Sequence, residues 1–437
     1  MKAGFARLDI TPPFGTRIVG YYSERIADGI LDPLQVNAVA FSDGEHTAVA
    51  VSMDVLELLQ VTTDIIRRRA AGKNGIPMEA IFLSCTHTHT GPQIDEGMLF
   101  KTNPSYNEYF FDRVSDVIAL AIDDMCEASV EIARGTVRDV AFIRRFLMKD
   151  GTVKMNPGPD PDVVRPVGTA DETVQLVKIV REDAADIAIV NFQVHPDVIG
   201  GTKFSADYPG FVRRTLEGAL ADEKDGKGVH AVYFNGAQGD TNHINRMGSL
   251  TKGYAHSRHM GRAIAGGVLA VYSQTVPVAS DRVFFRQVSA LVPPNRGTAE
   301  EVKKAHEYAR IHAESGAEAA AKACPGIVSL PHAQRIIWVE NAPEFLDLHV
   351  TCVGFGEVAF VGLPGEPFTE IGRAIKEGSP FAMTIPCCNT NGSEGYFPTR
   401  DTFDSGSYET ISSRFKSGVA EKLIETGISL TKELKAR

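Results

Sequence analysis

Apolar residues recur along this chain in short runs that break at glycine, proline or aspartate, the punctuation of strands joined by tight turns. Gly4–Ile10, Leu34–Phe41 and His46–Met53 read as strands, the last two forming a hairpin around Asp43-Gly44. Val61–Ala71 reads as a helix and Ala80–Cys85 as a buried strand. Phe110, Val114, Val117, Ile118 and Ala121 fall near helical spacing and predict an amphipathic helix over Tyr106–Ala128. Strands are expected over Glu131–Arg144, Thr173–Arg181, Ile187–Val194 and His230–Phe234, and helices over Tyr208–Leu220 and Gly253–Tyr272. Thr298–Ala323 differs: it is rich in Ala, Glu and Lys with little apolar face, and reads as a solvated helix that caps or flanks the body. The final third returns to strands at Leu346–Cys352, Glu357–Val361 and Ala382–Pro386, with helices at Pro367–Lys376 and Ser412–Lys435. No internal repeat or long linker interrupts the series. The pattern predicts one α/β body with α+β character, several layers deep around mixed sheet. It spans residues 1–437 as a single domain, with 298–323 as a flanking helical insert.

Composition narrows the function. The 437 residues are 43% hydrophobic and 23% charged, ordinary for a soluble globular protein with ample core. A net charge of −10 with no basic stripe argues against a nucleic-acid partner. No apolar run reaches transmembrane length, and no signal peptide is visible. The six cysteines, Cys85, Cys126, Cys324, Cys352, Cys387 and Cys388, form neither a disulfide framework nor a CxxC pair. Buried free thiols in a reducing compartment, the cytoplasm, are expected. The sequence assigns no oligomeric state.

Candidate chemistry collects at strand ends. The buried run Ala80–Leu83 leads into Ser84-Cys85-Thr86-His87-Thr88-His89-Thr90-Gly91-Pro92. The two-residue period of a strand lets His87 and His89 face one cavity. Imidazole is both the commonest transition-metal ligand and the usual proton shuttle near neutral pH. His195 ends a second buried strand, followed by Pro196. Two strands that both deliver histidine to their carboxyl ends point to a shared crevice, where open α/β sheets place their sites. Glu366 follows a third apolar strand, within Gly362-Leu363-Pro364-Gly365-Glu366-Pro367-Phe368. Tyr396 lies in the loop Gly395-Tyr396-Phe397-Pro398-Thr399-Arg400, with Tyr408 twelve residues on.

Taken together these segments resemble the catalytic domain of the neutral (alkaline, non-lysosomal) ceramidases and their shorter bacterial relatives. The resemblance runs in order from Ala3-Gly4 through THTHTGP, Phe142–Asn156, the His195 strand, GAQGDTN, LPGEPF and GYFPTRDTFDSGSYE. It implies a ceramidase-like zinc hydrolase fold with one zinc ion held by His87, His195, Glu366 and Tyr396. It further implies that His89 and Tyr408 line the reacting centre and that Arg144 contacts substrate, although the asparagine usual before that arginine is Ile143 here. Chemically, two imidazoles, a carboxylate and a phenol give zinc a mixed N/O set. An open position for water would bring that water's pKa to about 7. His89 could then act as general base and Tyr408 or the metal could stabilise an oxyanion, giving metal-assisted hydrolysis of an amide.

Two departures shift the expected substrate away from ceramide. The serine that family members carry soon after Gly-Asp is absent from Gly239-Asp240-Thr241-Asn242-His243. The chain also reaches Arg437 in a helix, without the carboxyl-terminal β-sandwich of the full-length lipid enzymes. A small-molecule amide, N-acyl or other, is the expected substrate. An amidohydrolase barrel, in which HxH also ends a strand, and a non-catalytic protein stapled by metal are the alternatives. No cysteine joins the candidate ligand set, which favours an open catalytic site over a closed structural one. His243 reads as a surface histidine, and Ser205 and Asp207 as caps of the helix that begins at Tyr208.

Overall fold

In the computed structural model, which describes residues 1–96, 102–245 and 252–437, strand alternation divides the apolar side chains between two cores. In Gln35–Ser42, Val36, Ala38 and Ala40 enter one core while Val39 and Phe41 enter another. Thr47–Met53 splits the same way, Val49, Val51 and Met53 against Ala48 and Ala50. Strands buried on both faces belong to an inner layer.

That layer is a sheet whose hydrogen-bonded path runs Val229–Asn235, Asp186–Phe192, Thr173–Arg181, Cys126–Thr136, Lys2–Asp9, Gln35–Ser42, Thr47–Met53, Ile81–Cys85. Val276–Val278 pairs beside Cys126–Thr136. A four-stranded sheet, Val283–Val292, Leu346–Phe355, Val358–Gly362 and Met383–Cys387, stacks on it. Aromatic side chains fill the space between: Phe360 lies 6.1 Å from Phe82 and 5.5 Å from Phe234, and Phe41 lies 4.8 Å from Phe355. The far face of the large sheet is covered by Gln60–Asn74 and Pro104–Asp123 on one half. Asp207–Ala219 and Tyr254–Tyr272 cover the other. Thr369–Gly378 and Val419–Ala436 cover the small sheet. The result is a four-layer α/β/β/α body, mixed in class as the pattern predicted. Two stacked sheets also exclude the amidohydrolase barrel.

Among the parallel strand pairs are Asp186–Phe192 with Val229–Asn235, Thr47–Met53 with Ile81–Cys85, and Val358–Gly362 with Met383–Cys387. Their carboxyl ends are stitched together. The Cys85 amide donates to the Asn389 carbonyl (3.2 Å), the Cys388 amide to the Asn235 carbonyl (3.1 Å), and the Asn235 side chain to the Thr86 carbonyl (3.1 Å).

Several expected boundaries move. The helix expected to reach Ala128 stops at Asp123, because Cys126–Thr136 pairs along its length with Thr173–Arg181. The strand expected over Glu131–Arg144 therefore starts earlier and ends at Thr136, leaving Phe142–Ile143 as a separate short strand. The helix expected from Ser412 begins at Val419, after Gly418 at φ +105°, and Tyr408–Ser412 is a short helix of its own. The helix Ala299–Ala323 opens with a capping box between Thr298 and Glu301, kinks at Gly316, and is not solvated all round. It shares a small core, including Tyr308, Leu330 and Ile336, with the unforeseen helix Leu330–Trp338. Among the described residues no helix is long and apolar enough to cross a membrane, and all six cysteines are free.

The inter-sheet core makes a direct prediction. Phe360 is fully buried, so Phe360→Ala should lower unfolding free energy by about 3–5 kcal/mol in a urea titration. A loss below about 1 kcal/mol would contradict the sheet stacking.

Candidate metal centre

The strand ends at Cys85, so Thr86–Thr90 is a loop and turn, not the continued strand alternation expected for His87 and His89. The Thr88 and Thr90 hydroxyls both donate to the Ser205 carbonyl (2.7 and 2.9 Å), which leaves His87 and His89 free to face elsewhere. His87 sits at φ +71°, a left-handed conformation that costs a non-glycine residue energy and turns the chain sharply at the strand end. Its Nδ1 lies 2.9 Å from the Leu56 carbonyl and 2.8 Å from the Asn389 side-chain nitrogen; a proton on Nδ1, given to Leu56, would present the Nε2 lone pair inward. His195 is set the same way, with Nδ1 toward the Gln238 carbonyl (3.4 Å). The Asp207 carboxylate accepts from the Val198 and Ile199 amides (3.0 and 3.2 Å), holding the turn after His195 against the start of the helix. The Ser205 hydroxyl accepts from the Asp207 amide at 3.0 Å.

Glu366 follows the strand Val358–Gly362, and Glu366-Pro367 forms a short parallel pair of its own with Tyr396-Phe397. Gly239 lets the Gly-Asp turn press on this segment: a Cβ there would stand 2.4 Å from the Glu366 carbonyl oxygen. The three strand ends thus bring three acceptor atoms together. His87 Nε2 is 3.2 Å from His195 Nε2, and Glu366 Oε2 is 3.4 Å from the first and 3.6 Å from the second. A tetrahedral site with bonds of about 2.0–2.1 Å has donor separations of about 3.3–3.4 Å. The donor set therefore fits a divalent ion such as zinc. Burial alone would push the Glu366 carboxyl up, yet His87 and Arg144 hold it below the usual carboxylate range. Burial and the Arg144 charge push His195 far down, keeping its ring neutral as a ligand requires.

His89 belongs to the same group, for the three imidazoles each offer a nitrogen within 4.8 Å of the others. The tighter triangle is nevertheless His87, His195 and Glu366, and His89 stands beside it. Both of its ring nitrogens are buried without a hydrogen-bond partner among the described residues. Burial first, and His87 second, push its pKa down to about 3, so the ring is neutral. Tyr396 lies under the Arg144 guanidinium (5.3 Å to the ring centroid) and 5.6 Å from the ring of Tyr408. The Arg144 Nη1 is 3.5 Å from His195 Nδ1. All seven residues singled out in the sequence therefore meet around one point.

With this geometry in hand, the whole chain can be compared with solved structures. The neutral ceramidase from Pseudomonas aeruginosa superposes with a TM-score of 0.76, covering 99% of this chain and 75% of its own, at 17% identity. A ceramidase complexed with C2 gives 0.76, 99% and 75% at 16% identity. The chain has the neutral ceramidase fold. No protein-family model and no curated protein matches the sequence.

Within this ceramidase fold, a cavity of about 390 Å³ opens onto His87, His89, Glu366, Tyr396 and Tyr408. Its outer wall includes Pro331, Gln334, Arg335 and Trp338 from the Leu330–Trp338 helix, so that helix borders the site and Ala299–Ala323 does not line it. Sequence reasoning also missed Glu409. This carboxylate is fully buried. It accepts from Arg144 Nε (2.7 Å) and the Ser407 hydroxyl (2.9 Å), and stands 3.6 Å from Arg145 Nε. Its position in the Gly406-Ser407-Tyr408-Glu409 stretch, directly after a site tyrosine, was the available signal. His243 is not a surface residue but is buried, with Nδ1 3.1 Å from Asp197 Oδ1. Asn242, where a serine was expected, donates to the Asn156 side chain at 2.9 Å.

Removing the Glu409 charge leaves two buried arginines uncompensated. Glu409→Gln should therefore cost about 3–5 kcal/mol in urea unfolding. A variant within about 0.5 kcal/mol of the parent would contradict the clamp.

Proposed function

We propose that this protein is a zinc-dependent hydrolase that cleaves the amide bond of a small N-acyl or related amide. The observation that carries the reading is the triangle of donor atoms at tetrahedral spacing with a neutral, unpartnered imidazole beside it. The likeness to ceramidase structures supports it, since a ceramidase hydrolyses the amide of ceramide. His87, His195, Glu366 and Tyr396 would hold the ion. When bound, the ion supplies Lewis-acid activation of water and of the substrate carbonyl.

The chain's own residues do the rest. His89, within reach of the ion but spared from the tight triangle, takes a proton at a ring nitrogen during attack and returns it to the departing amine. Its ring is neutral and so has a nitrogen lone pair to accept that proton. Tyr408 donates a hydrogen bond to the carbonyl oxygen as negative charge develops there. Arg144, clamped by Glu409 behind His195 and Tyr396, supplies fixed positive charge to the same region. The Leu56 and Gln238 carbonyls hold the two imidazoles in the ligating tautomer.

The cavity argues for a small substrate. Among its apolar wall residues, which include Val19, Leu56, Leu59, Ile94, Pro331 and Trp338, stand the charged Glu57, Asp95, Glu96, Arg335 and Arg414. An acyl chain gains about 0.8 kcal/mol per buried methylene only along continuous apolar surface, which this wall interrupts.

Two experiments test the reading. Metal analysis should find about one zinc per chain. His87→Ala and His195→Ala should lose metal and hydrolysis together, while His89→Ala keeps metal and loses roughly 10²–10⁴-fold in kcat. Equal metal loss in His89→Ala would make His89 a ligand and overturn the division of roles. In a substrate panel, short polar N-acyl amides should turn over faster than long-chain ceramide in detergent micelles. Efficient ceramide turnover with no better short amide would reverse the substrate assignment.

A further inference from the structure

A single tripeptide, Gly20-Tyr21-Tyr22, touches both side chains that flank the donor triangle. At Gly20 the backbone lies flat on His89: φ is +113°, and a Cβ would stand 2.8 Å from His89 Nδ1. The Tyr21 ring is 5.3 Å from that of His89, with the Arg25 guanidinium 4.3 Å from the Tyr21 ring. The Tyr22 hydroxyl is 2.9 Å from the Tyr408 hydroxyl. The segment is anchored independently of Tyr22. Arg25 Nη2 donates to the Val19 and His89 carbonyls (2.5 and 2.8 Å), and its Nη1 donates to Gly201 (3.2 Å).

We propose that Tyr22 is a positioning residue of the reaction centre, whose hydroxyl donates to Tyr408 and so leaves the Tyr408 proton free to point into the cleft. This rests on the hydrolase reading above, in which Tyr408 faces the substrate carbonyl. Each phenol carries one proton, so two hydroxyls 2.9 Å apart share one hydrogen bond, and the acceptor keeps its own proton to give elsewhere. Tyr22 lies at the cavity mouth with 45% of its surface exposed, whereas Tyr408 faces Tyr396. Donation from the mouth inward thus aims the spare proton at the donor triangle. A hydroxyl that accepts one hydrogen bond is also polarised into a better donor.

The test uses Tyr22→Phe, Tyr408→Phe and the double variant of the full chain. Tyr22→Phe should bind metal and melt as the parent does, and lose about three- to tenfold in kcat with KM within twofold, the size of one neutral hydrogen bond. Tyr408→Phe should lose more, and the double variant should be no slower than Tyr408→Phe alone. Binding of acetohydroxamate to the zinc-loaded protein, read by calorimetry, needs no turnover. It should weaken severalfold in Tyr22→Phe and show no further change when Tyr22→Phe is added to Tyr408→Phe. Parent-like kcat and hydroxamate affinity in Tyr22→Phe would overturn the proposal, as would losses that multiply in the double variant or a change confined to KM. If the parent binds hydroxamate but cleaves no amide, the hydrolase reading fails while the coupling between the two tyrosines is still decided by binding. No hydroxamate binding to the parent overturns both.

Discussion

Three lone pairs that repel one another are held within 3.6 Å of each other in the buried centre of this molecule. Two imidazole nitrogens and a carboxylate oxygen in that arrangement favour a positive charge among them; against burial, which lowers it, Glu366 raises the pKa of the His87 ring accordingly. Taking a carboxylate out of water costs several kcal/mol even after relaxation. Arg144 answers part of that cost from behind His195, but it is itself committed to Glu409. A divalent ion, for which the donor spacing is suited, would answer the rest. The surrounding residues are arranged to make the triangle rigid: the strained backbone at His87, the carbonyls behind both imidazoles, and the glycine that lets the Gly-Asp turn lie on Glu366.

That rigidity explains the architecture around it. The large sheet is mostly antiparallel, yet parallel pairs occur where the site is built, and their carboxyl ends bring His87, His195 and Glu366 to one place. Each strand is locked by the inter-sheet aromatic core, so the donor atoms inherit their spacing from packed layers rather than from a loop. Loops and short helices supply the more adaptable parts: Tyr396, Tyr408 and the Gly20-Tyr21-Tyr22 segment.

The central ligand candidates were legible because their chemistry coincides with a strand end, where apolar run, histidine or glutamate, and breaker stand side by side in the sequence. His87, His195 and Glu366 share that signature. The hairpin at Asp43-Gly44 and the long helices were legible through period alone. What escaped depends on contacts distant in sequence. Cys126–Thr136 became a strand because Thr173–Arg181 pairs with it, against a helical pattern that seemed to continue. Leu330–Trp338 is only nine residues long and makes sense only against Ala299–Ala323. Glu409 and Tyr22 acquire roles from Arg144 and Tyr408, which lie 265 and 386 positions away, and no local period records such pairings. His243 looked like a surface residue because its partner, Asp197, belongs to another segment.

The most direct measurement is X-ray absorption at the zinc edge of the purified, unchelated protein. The account predicts nitrogen and oxygen neighbours at about 2.0–2.2 Å, with outer-shell scattering from two imidazoles and no sulfur near 2.3 Å. A sulfur neighbour, three coordinated imidazoles, or protein that takes up no zinc even when it is supplied would contradict the donor triangle as the centre of this molecule.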